Sequence, residues 1–240
     1  MNELSSRATR TLGIDARREA LRGSPLFRSL TREELDAVLT RSVIQRFARG
    51  AVILRQGDSA ASMMVVVQGR VRLSLSGAEG HEISLGVLGP GEVVGEMALL
   101  DGGERSTTVT GVDEGVLLVI PRADFLPLLE GSASLCIRLM QVLCARLRRA
   151  NLSVEEMATL DVGARLARLL MRLAESYGTR RNNTLRLDLK LSQKDISTLI
   201  GASREKVNKQ LRQWEQDGIL ASDHGYLIIS DPAALASAAG

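Results

Sequence analysis

Residues 191–220 read LSQKDISTLIGASREKVNKQLRQWEQDGIL, and how this stretch folds decides what the rest of the chain serves. Ser192 followed by Asp195 makes a capping-box-like helix start. Ile196, Leu199 and Ile200 then recur at helical spacing and predict its inward face. Gly201-Ala202 supplies a turn, glycine being the residue that takes the left-handed conformation at a helix end at least cost. Ser203 caps a second helix with a buried stripe of Val207, Leu211 and Trp214, and Gly218 stops it. Behind it ILASDHGYLIIS, 219–230, predicts a short hairpin. The pattern is a winged helix-turn-helix.

Subtracting the buried stripe leaves Arg204, Glu205, Asn208, Lys209 and Arg212 facing outward. Arginine offers paired donors that match guanine, glutamate accepts from cytosine, and asparagine pairs with adenine. Ser192, Ser203, Lys206 and Arg212 suit phosphates, which set register and salt dependence. A solvated helical hairpin is the plain alternative, since mixed charge on an exposed helix is common. Charge placement decides against it. Residues 161–240 carry 12 basic against 9 acidic side chains, while residues 1–160 balance at 19 each. All four lysines lie between Lys190 and Lys209. Two caps, a glycine turn, a local cation cluster and a wing together predict binding to double-stranded DNA.

Moving outward, VGARLARLLMRLAESYG (162–178) predicts an amphipathic helix and RRNNTLRLDLKL (180–191) a polar hairpin. The tail DPAALASAAG (231–240) is expected to fray. Leu126 to Leu160 is helical, with Cys136, Met140, Leu143, Leu147, Ala150, Val154 and Met157 spaced alternately by four and three. This heptad seam predicts a coiled coil between two copies of the chain through residues 136–157, hence a two-fold homodimer. Packing on its own domain is the alternative and would tolerate a looser stripe. Arg146, Arg148 and Arg149 are expected on a solvated face. Cys136 and Cys144, the only cysteines, are expected to be reduced core residues.

From Arg49 to Ile120 the pattern changes to short apolar runs broken by Gly57-Asp58, Gln68-Gly69 and Gly77, with period-two alternation in RVRLSLSG (70–77). Many short strands with glycine turns predict an antiparallel roll, so the fold class is α+β. Upstream, SPLFRSLTREELDAVL (24–39) predicts a helix capped by Thr31 and Glu34. The expected domains are an N-terminal extension (1–23), a β-roll domain (24–130), a dimerisation helix (131–160) and the DNA-binding domain (161–240).

One stretch of the roll stands apart. GEVVGEMALLDGGERSTTV, 91–109, sets Glu96 beside Gly95 and brings Arg105, Ser106 and Thr107 nine residues later in an apolar setting. A solvated turn would explain the glycines. An anion pocket with one acceptor for a hydroxyl would also explain the carboxylate, the guanidinium and the row of hydroxyls.

The two motifs in this order, joined by a long helix, resemble the bacterial Crp–Fnr family of transcriptional regulators. The resemblance spans about Ser24 to Ser230 and identifies residues 91–109 with the family's phosphate-binding cassette. It implies a cyclic nucleotide as allosteric ligand, cyclic AMP or cyclic GMP. Arg105 would then pair with the phosphate, joined by Ser106. The N–H groups of the short helix at Gly95, Glu96, Met97 and Ala98 would favour the anion. Glu96 would accept from the ribose 2′-hydroxyl, and Thr107 would add a hydroxyl near phosphate and base. Where cyclic-AMP-responsive members carry a threonine–serine pair against the purine, this chain has Ala150 and Asn151. Asn151 carries a donor and an acceptor and would serve either adenine or guanine, so the purine stays open. The two reduced cysteines are read as those of a cytosolic protein; the resemblance implies that nucleotide reorients the recognition helices onto a palindromic site, and contact with RNA polymerase belongs to activating members.

Other classes are less well supported. His81 and His224 fall in predicted turns, and two helical cysteines do not make a cluster site, so no metal, haem or iron–sulfur cluster is expected. No Ser-His-Asp or Cys-His arrangement supports an enzyme. No run of apolar residues is long enough to span a membrane. Two alternatives remain: a same-fold regulator that binds DNA without nucleotide or with another effector, and an effector-binding subunit of a partner enzyme.

Overall fold

A computed structural model describes residues 13–77, 82–182 and 184–240. The chain divides into two compact units, one comprising the chain through Leu73 with Val87–Arg146, the other Ser74–Gly86 with Leu147–Gly240.

In the N-terminal half of the chain, α1 (Ile14–Gly23) and α2 (Arg32–Arg41) precede the strands β1 (Val43–Phe47), β2 (Val52–Leu54), β3 (Ser62–Gln68) and β4 (Val71–Ser76). β5 (Glu82–Leu88), β6 (Val93–Val94), α3 (Glu96–Asp101), β7 (Thr108–Gly111) and β8 (Gly115–Pro121) follow, then α4 (Arg122–Gly131). The strands form two four-stranded sheets, ordered β1-β8-β3-β6 and β2-β7-β4-β5. Every described pairing is antiparallel. The roll expected from the glycine-punctuated runs is present.

β3 explains why SMMVVVQ (62–68) shows no alternation. Met63 and Val65 enter a core that includes Leu26, Phe27, Leu35, Phe125 and Leu135. Met64 and Val66 enter the other, with Phe47, Val71, Val109 and Leu117. A strand with two buried faces needs apolar side chains at every position. α2 is closed by the expected capping box: Thr31 Oγ1 accepts from Glu34 N at 3.2 Å, and Glu34 Oε2 accepts from Thr31 N at 2.7 Å.

α1 packs on the first unit through fully buried Leu21, while the largely buried Arg18 donates to Asp36 Oδ1 at 2.8 Å. Residues 14–23 therefore belong to the unit, because an apolar face and an ion pair tie them down.

α5 (Ala133–Thr159) is one continuous helix. In the second unit, α6 (Val162–Tyr177) and the hairpin β9 (Gly178–Arg181)–β10 (Thr184–Leu187) lead to α7 (Gln193–Ile200) and α8 (Arg204–Gln216). β11 (Leu220–Asp223) and β12 (Tyr226–Ile229) form the wing, and α9 (Pro232–Ser237) follows. The sheet order is β11-β12-β10-β9. Its core gathers Leu166, Leu170, Ile196, Ile200, Val207, Leu211, Trp214 and Ile229.

The tail is not frayed. Asp231 caps α9 by accepting from Ala233 N and Ala234 N, both at 3.0 Å, and Leu235 is fully buried. Cys144 is exposed and Cys136 half-buried, so only Cys136 approaches the expected core position. Among the described residues no single helix is long and apolar enough to cross a membrane.

Candidate functional site

The turn into α3 is built around Gly95, whose φ of 76° and ψ of 13° lie in the left-handed region. A Cβ here would stand 2.4 Å from Arg105 Nη1, so glycine is required by the backbone and by the neighbour alike. Arg105 is only 5% exposed, and its Nη1 donates to the Gly95 carbonyl at 3.0 Å. Its Nη2 donates to Ser62 Oγ at 3.3 Å.

Both acceptors are neutral, and Arg105 forms no ion pair among the described residues. Burial pulls its guanidinium below the ordinary arginine range, an effect partly offset by the carboxylates of Glu96 and Asp58. A buried cation held by neutral oxygens is costly unless an anion completes its shell.

Glu96 is 1% exposed. Its Oε1 accepts from Arg146 Nη1, and Arg146 Nη2 donates to the Val93 carbonyl. Its Oε2 is shielded from solvent and has no hydrogen-bond partner. One oxygen of the buried carboxylate is thus committed and the other is free to accept. Ala98 is buried, Met97 is exposed, and Ser106 Oγ lies 3.7 Å from Met97 Sδ on the exposed side. Thr107 is half-buried. The expected carboxylate and guanidinium are both buried at this turn and close enough to interact electrostatically, with the two hydroxyls of 106–107 on the same loop.

Arg146 corrects the expectation of a solvated face, since its guanidinium turns inward to Glu96 while Arg148 and Arg149 are exposed. The signal was present: buried Leu135 and Leu139, then Val142, precede Arg146 at steps of four, three and four along the packed side of α5. Ala150 and Asn151 are exposed on α5, in the portion assigned to the second unit.

In that unit the helix-turn-helix forms as its sequence predicts. Ser192 Oγ accepts from Asp195 N at 3.1 Å, and Asp195 Oδ2 accepts from Ser192 N at 2.9 Å. Gly201 ends α7 at φ 61°. Ser203 Oγ accepts from Lys206 N at 3.3 Å to open α8. Val207, Leu211 and Trp214 are buried, while Arg204, Glu205, Lys206, Lys209 and Arg212 are exposed. Asn208 is half-buried, its Oδ1 shielded and without a partner. α8 therefore presents Arg204, Glu205, Lys206, Lys209 and Arg212 to solvent.

The wing adds groups that sequence reading missed. The Arg186 guanidinium lies 4.2 Å and Lys190 Nζ 4.6 Å from the Tyr226 ring centroid, fixing two cations against β12. Their sequence separation hides the contact. His224, at φ 48°, sits in the wing turn as expected; His81 lies outside the described residues. Among the described residues no group of three or more His, Cys, Asp or Glu is placed to hold a metal ion.

Comparison with known proteins agrees with both halves. Residues 44–132 match the Cyclic nucleotide-binding domain family, and residues 164–238 match the Crp-like helix-turn-helix domain. The cyclic AMP receptor protein of Thermus thermophilus is 32% identical over 215 residues, covering 90% of this chain and 96% of its own. The CRP-like cAMP-activated global transcriptional regulator of Mycobacterium tuberculosis is 28% identical over 218 residues, covering 91% and 97%. A solved CRP-family regulator from Thermus thermophilus superposes with a TM-score of 0.70 at 26% identity, over 82% of this chain and 96% of that one. These relatives are transcriptional regulators, a class without enzymatic activity. The buried cation and carboxylate in the roll, the exposed helix α8 and these matches together place the chain in the Crp–Fnr family of DNA-binding transcriptional regulators, with a cyclic nucleotide-binding domain ahead of its helix-turn-helix.

Proposed function

We propose that the chain works as a homodimer whose DNA binding is controlled by a cyclic purine nucleotide, cyclic AMP or cyclic GMP, held in the roll. The observation that carries this reading is the pairing of a buried Arg105 held only by neutral acceptors with a buried Glu96 whose Oε2 is unpartnered. A cyclic phosphodiester would complete the shell of Arg105, flanked by Ser106 and Thr107, and the ribose 2′-hydroxyl would donate to Glu96 Oε2. Gly95, Met97 and Ala98 shape the turn that lets the phosphate approach. The exposed apolar side chains along α5 support self-association through residues 136–157. On DNA, Arg204, Glu205 and Asn208 would read bases, while Ser192, Ser203, Lys206, Lys209 and Arg212 would hold phosphates of a palindromic site.

A second reading is supported by Arg146, whose guanidinium bonds α5 to Glu96 within the chain: site-specific binding to DNA that needs no nucleotide. Titration calorimetry with cyclic AMP and cyclic GMP, beside gel shifts with and without each nucleotide, separates the two. Heat from either nucleotide, with DNA affinity raised in its presence, supports the first. Equal DNA affinity with and without nucleotide would replace it by the second.

A further inference from the structure

α3 has to hold Glu96 in place although it is only six residues long, Glu96–Asp101. A helix this short is marginal on its own, and its last carbonyls find no partner within it. The Ala98 carbonyl accepts from the Gly102 N–H at 3.1 Å. The Leu99 carbonyl accepts from Arg122 Nε, a side chain at the start of α4, at 2.6 Å. Arg122 Nη2 lies 3.7 Å from where a Cβ on Gly102 would stand, so the cation rests against the negative end of the helix.

Arg122 is tied equally to the strand beside Arg105. Its backbone N–H donates to the Ala61 carbonyl at 2.8 Å. The next residue, Ser62, pairs with Pro121 in the β3–β8 ladder, and its Oγ accepts from Arg105 Nη2 at 3.3 Å. One residue therefore bonds both to the helix that carries Glu96 and to the strand end that steadies Arg105. The fully buried Leu99 side chain also anchors α3. Burial is non-directional, whereas a hydrogen bond to the Leu99 carbonyl fixes how the helix is turned.

We propose that Arg122 is a positioning residue for the nucleotide: by bridging Leu99 and Ala61 it sets the separation between Glu96 and Arg105. The role rests on the cyclic-nucleotide reading and is carried through α3 and β3. In a 3′,5′-cyclic nucleotide the phosphate ring is fused to the ribose, so phosphate and 2′-hydroxyl stand at a nearly fixed distance. A rigid ligand binds well only where the protein already matches that distance. Glu96 lies one helical turn from Leu99, so a shift at the Arg122 contact passes directly to its carboxylate.

Three variants of the full chain are compared with the wild type by titration with cyclic AMP, cyclic GMP and their 2′-deoxy analogues, and by hydrogen exchange without nucleotide. Arg122→Met removes the donor, and Arg122→Lys returns a cation able to reach the Leu99 carbonyl. Asp124→Asn, which alters the Arg41–Asp124 contact at 3.3 Å on the same helix, is the control. Arg122→Met is expected to weaken nucleotide binding roughly threefold to tenfold, the net worth of one hydrogen bond. Its preference over the 2′-deoxy analogue should shrink, and amides 96–102 should exchange faster. Arg122→Lys is expected to recover most of these losses and Asp124→Asn to match the wild type. A lowered melting temperature in Arg122→Met, with affinity and 2′-deoxy preference unchanged, would mean a role in the fold alone and overturn the proposal. Unchanged exchange at 96–102 would do the same. A wild type that binds neither nucleotide removes the reading on which the role rests; that failure stands apart, because the exchange comparison needs no ligand.

Discussion

Glu156 on α5 and Arg172 on α6 meet in a two-pronged ion pair, Oε1 to Nη1 at 2.6 Å and Oε2 to Nη2 at 3.2 Å. The carboxylate is largely buried and the guanidinium half-exposed, with Arg168 Nη1 a further 3.9 Å from Oε1. The bidentate geometry holds the last turns of the long helix to the first helix of the DNA-binding domain. Replacing Arg172 with methionine strands a buried carboxylate, and a loss of about 1–3 kcal/mol is expected after allowing for solvent on the arginine side. Urea unfolding of the variant against the wild type measures it; an unchanged midpoint would show that Arg168 suffices.

Arg105→Met separates binding from stability. The guanidinium is buried and hydrogen-bonds only to neutral acceptors, with burial outweighing the nearby carboxylates, so its removal is expected to leave the melting temperature of the free protein unchanged or raised. Cyclic-nucleotide affinity is expected to fall roughly tenfold to a hundredfold as a charge-assisted contact is lost. Scanning calorimetry and ligand titration on the same sample test both halves. A destabilised protein would mean that Arg105 serves the fold.

Glu96→Gln tests the free oxygen. Glutamine retains an acceptor but no charge, and it also loosens Arg146. Discrimination between a cyclic nucleotide and its 2′-deoxy analogue is expected to shrink from roughly tenfold or more to near unity. Competition binding with the two ligands reads the ratio, and undiminished discrimination would place the 2′-hydroxyl elsewhere.

On the DNA side, Arg204→Ala and Lys206→Ala are expected to fail differently. The first should cost about 1–3 kcal/mol on one operator and relax preference at one base pair. The second should weaken binding to all sequences and lower the salt slope by about one. Gel shifts over a salt series on matched and scrambled sites distinguish them.

What could be read in the chain beforehand follows how local its causes are. The caps at Ser192 and Thr31, the left-handed Gly201 and the stripe Val207-Leu211-Trp214 depend on neighbours within a few residues, and all form as expected. Glu96 and Arg105 could be singled out because one short cassette carries both. Arg146 was missed because three arginines within four positions look alike and its partner lies fifty residues away, although the apolar stripe of α5 leads to it. Cys136 fits the apolar repeat of α5, and only tertiary packing shows that it lies against the core of the first unit. The tail looked frayed because alanine says little about docking, while buried Leu235 settles it.

β3 has a consequence for how this protein can vary. Met63 and Val65 face one core, Met64 and Val66 the other, and all four are at most 5% exposed. A saturation library across the strand would lack the every-second-site tolerance of an ordinary surface sheet. Polar substitutions there should be depleted without a gap, so the strand would drift more slowly than either sheet around it.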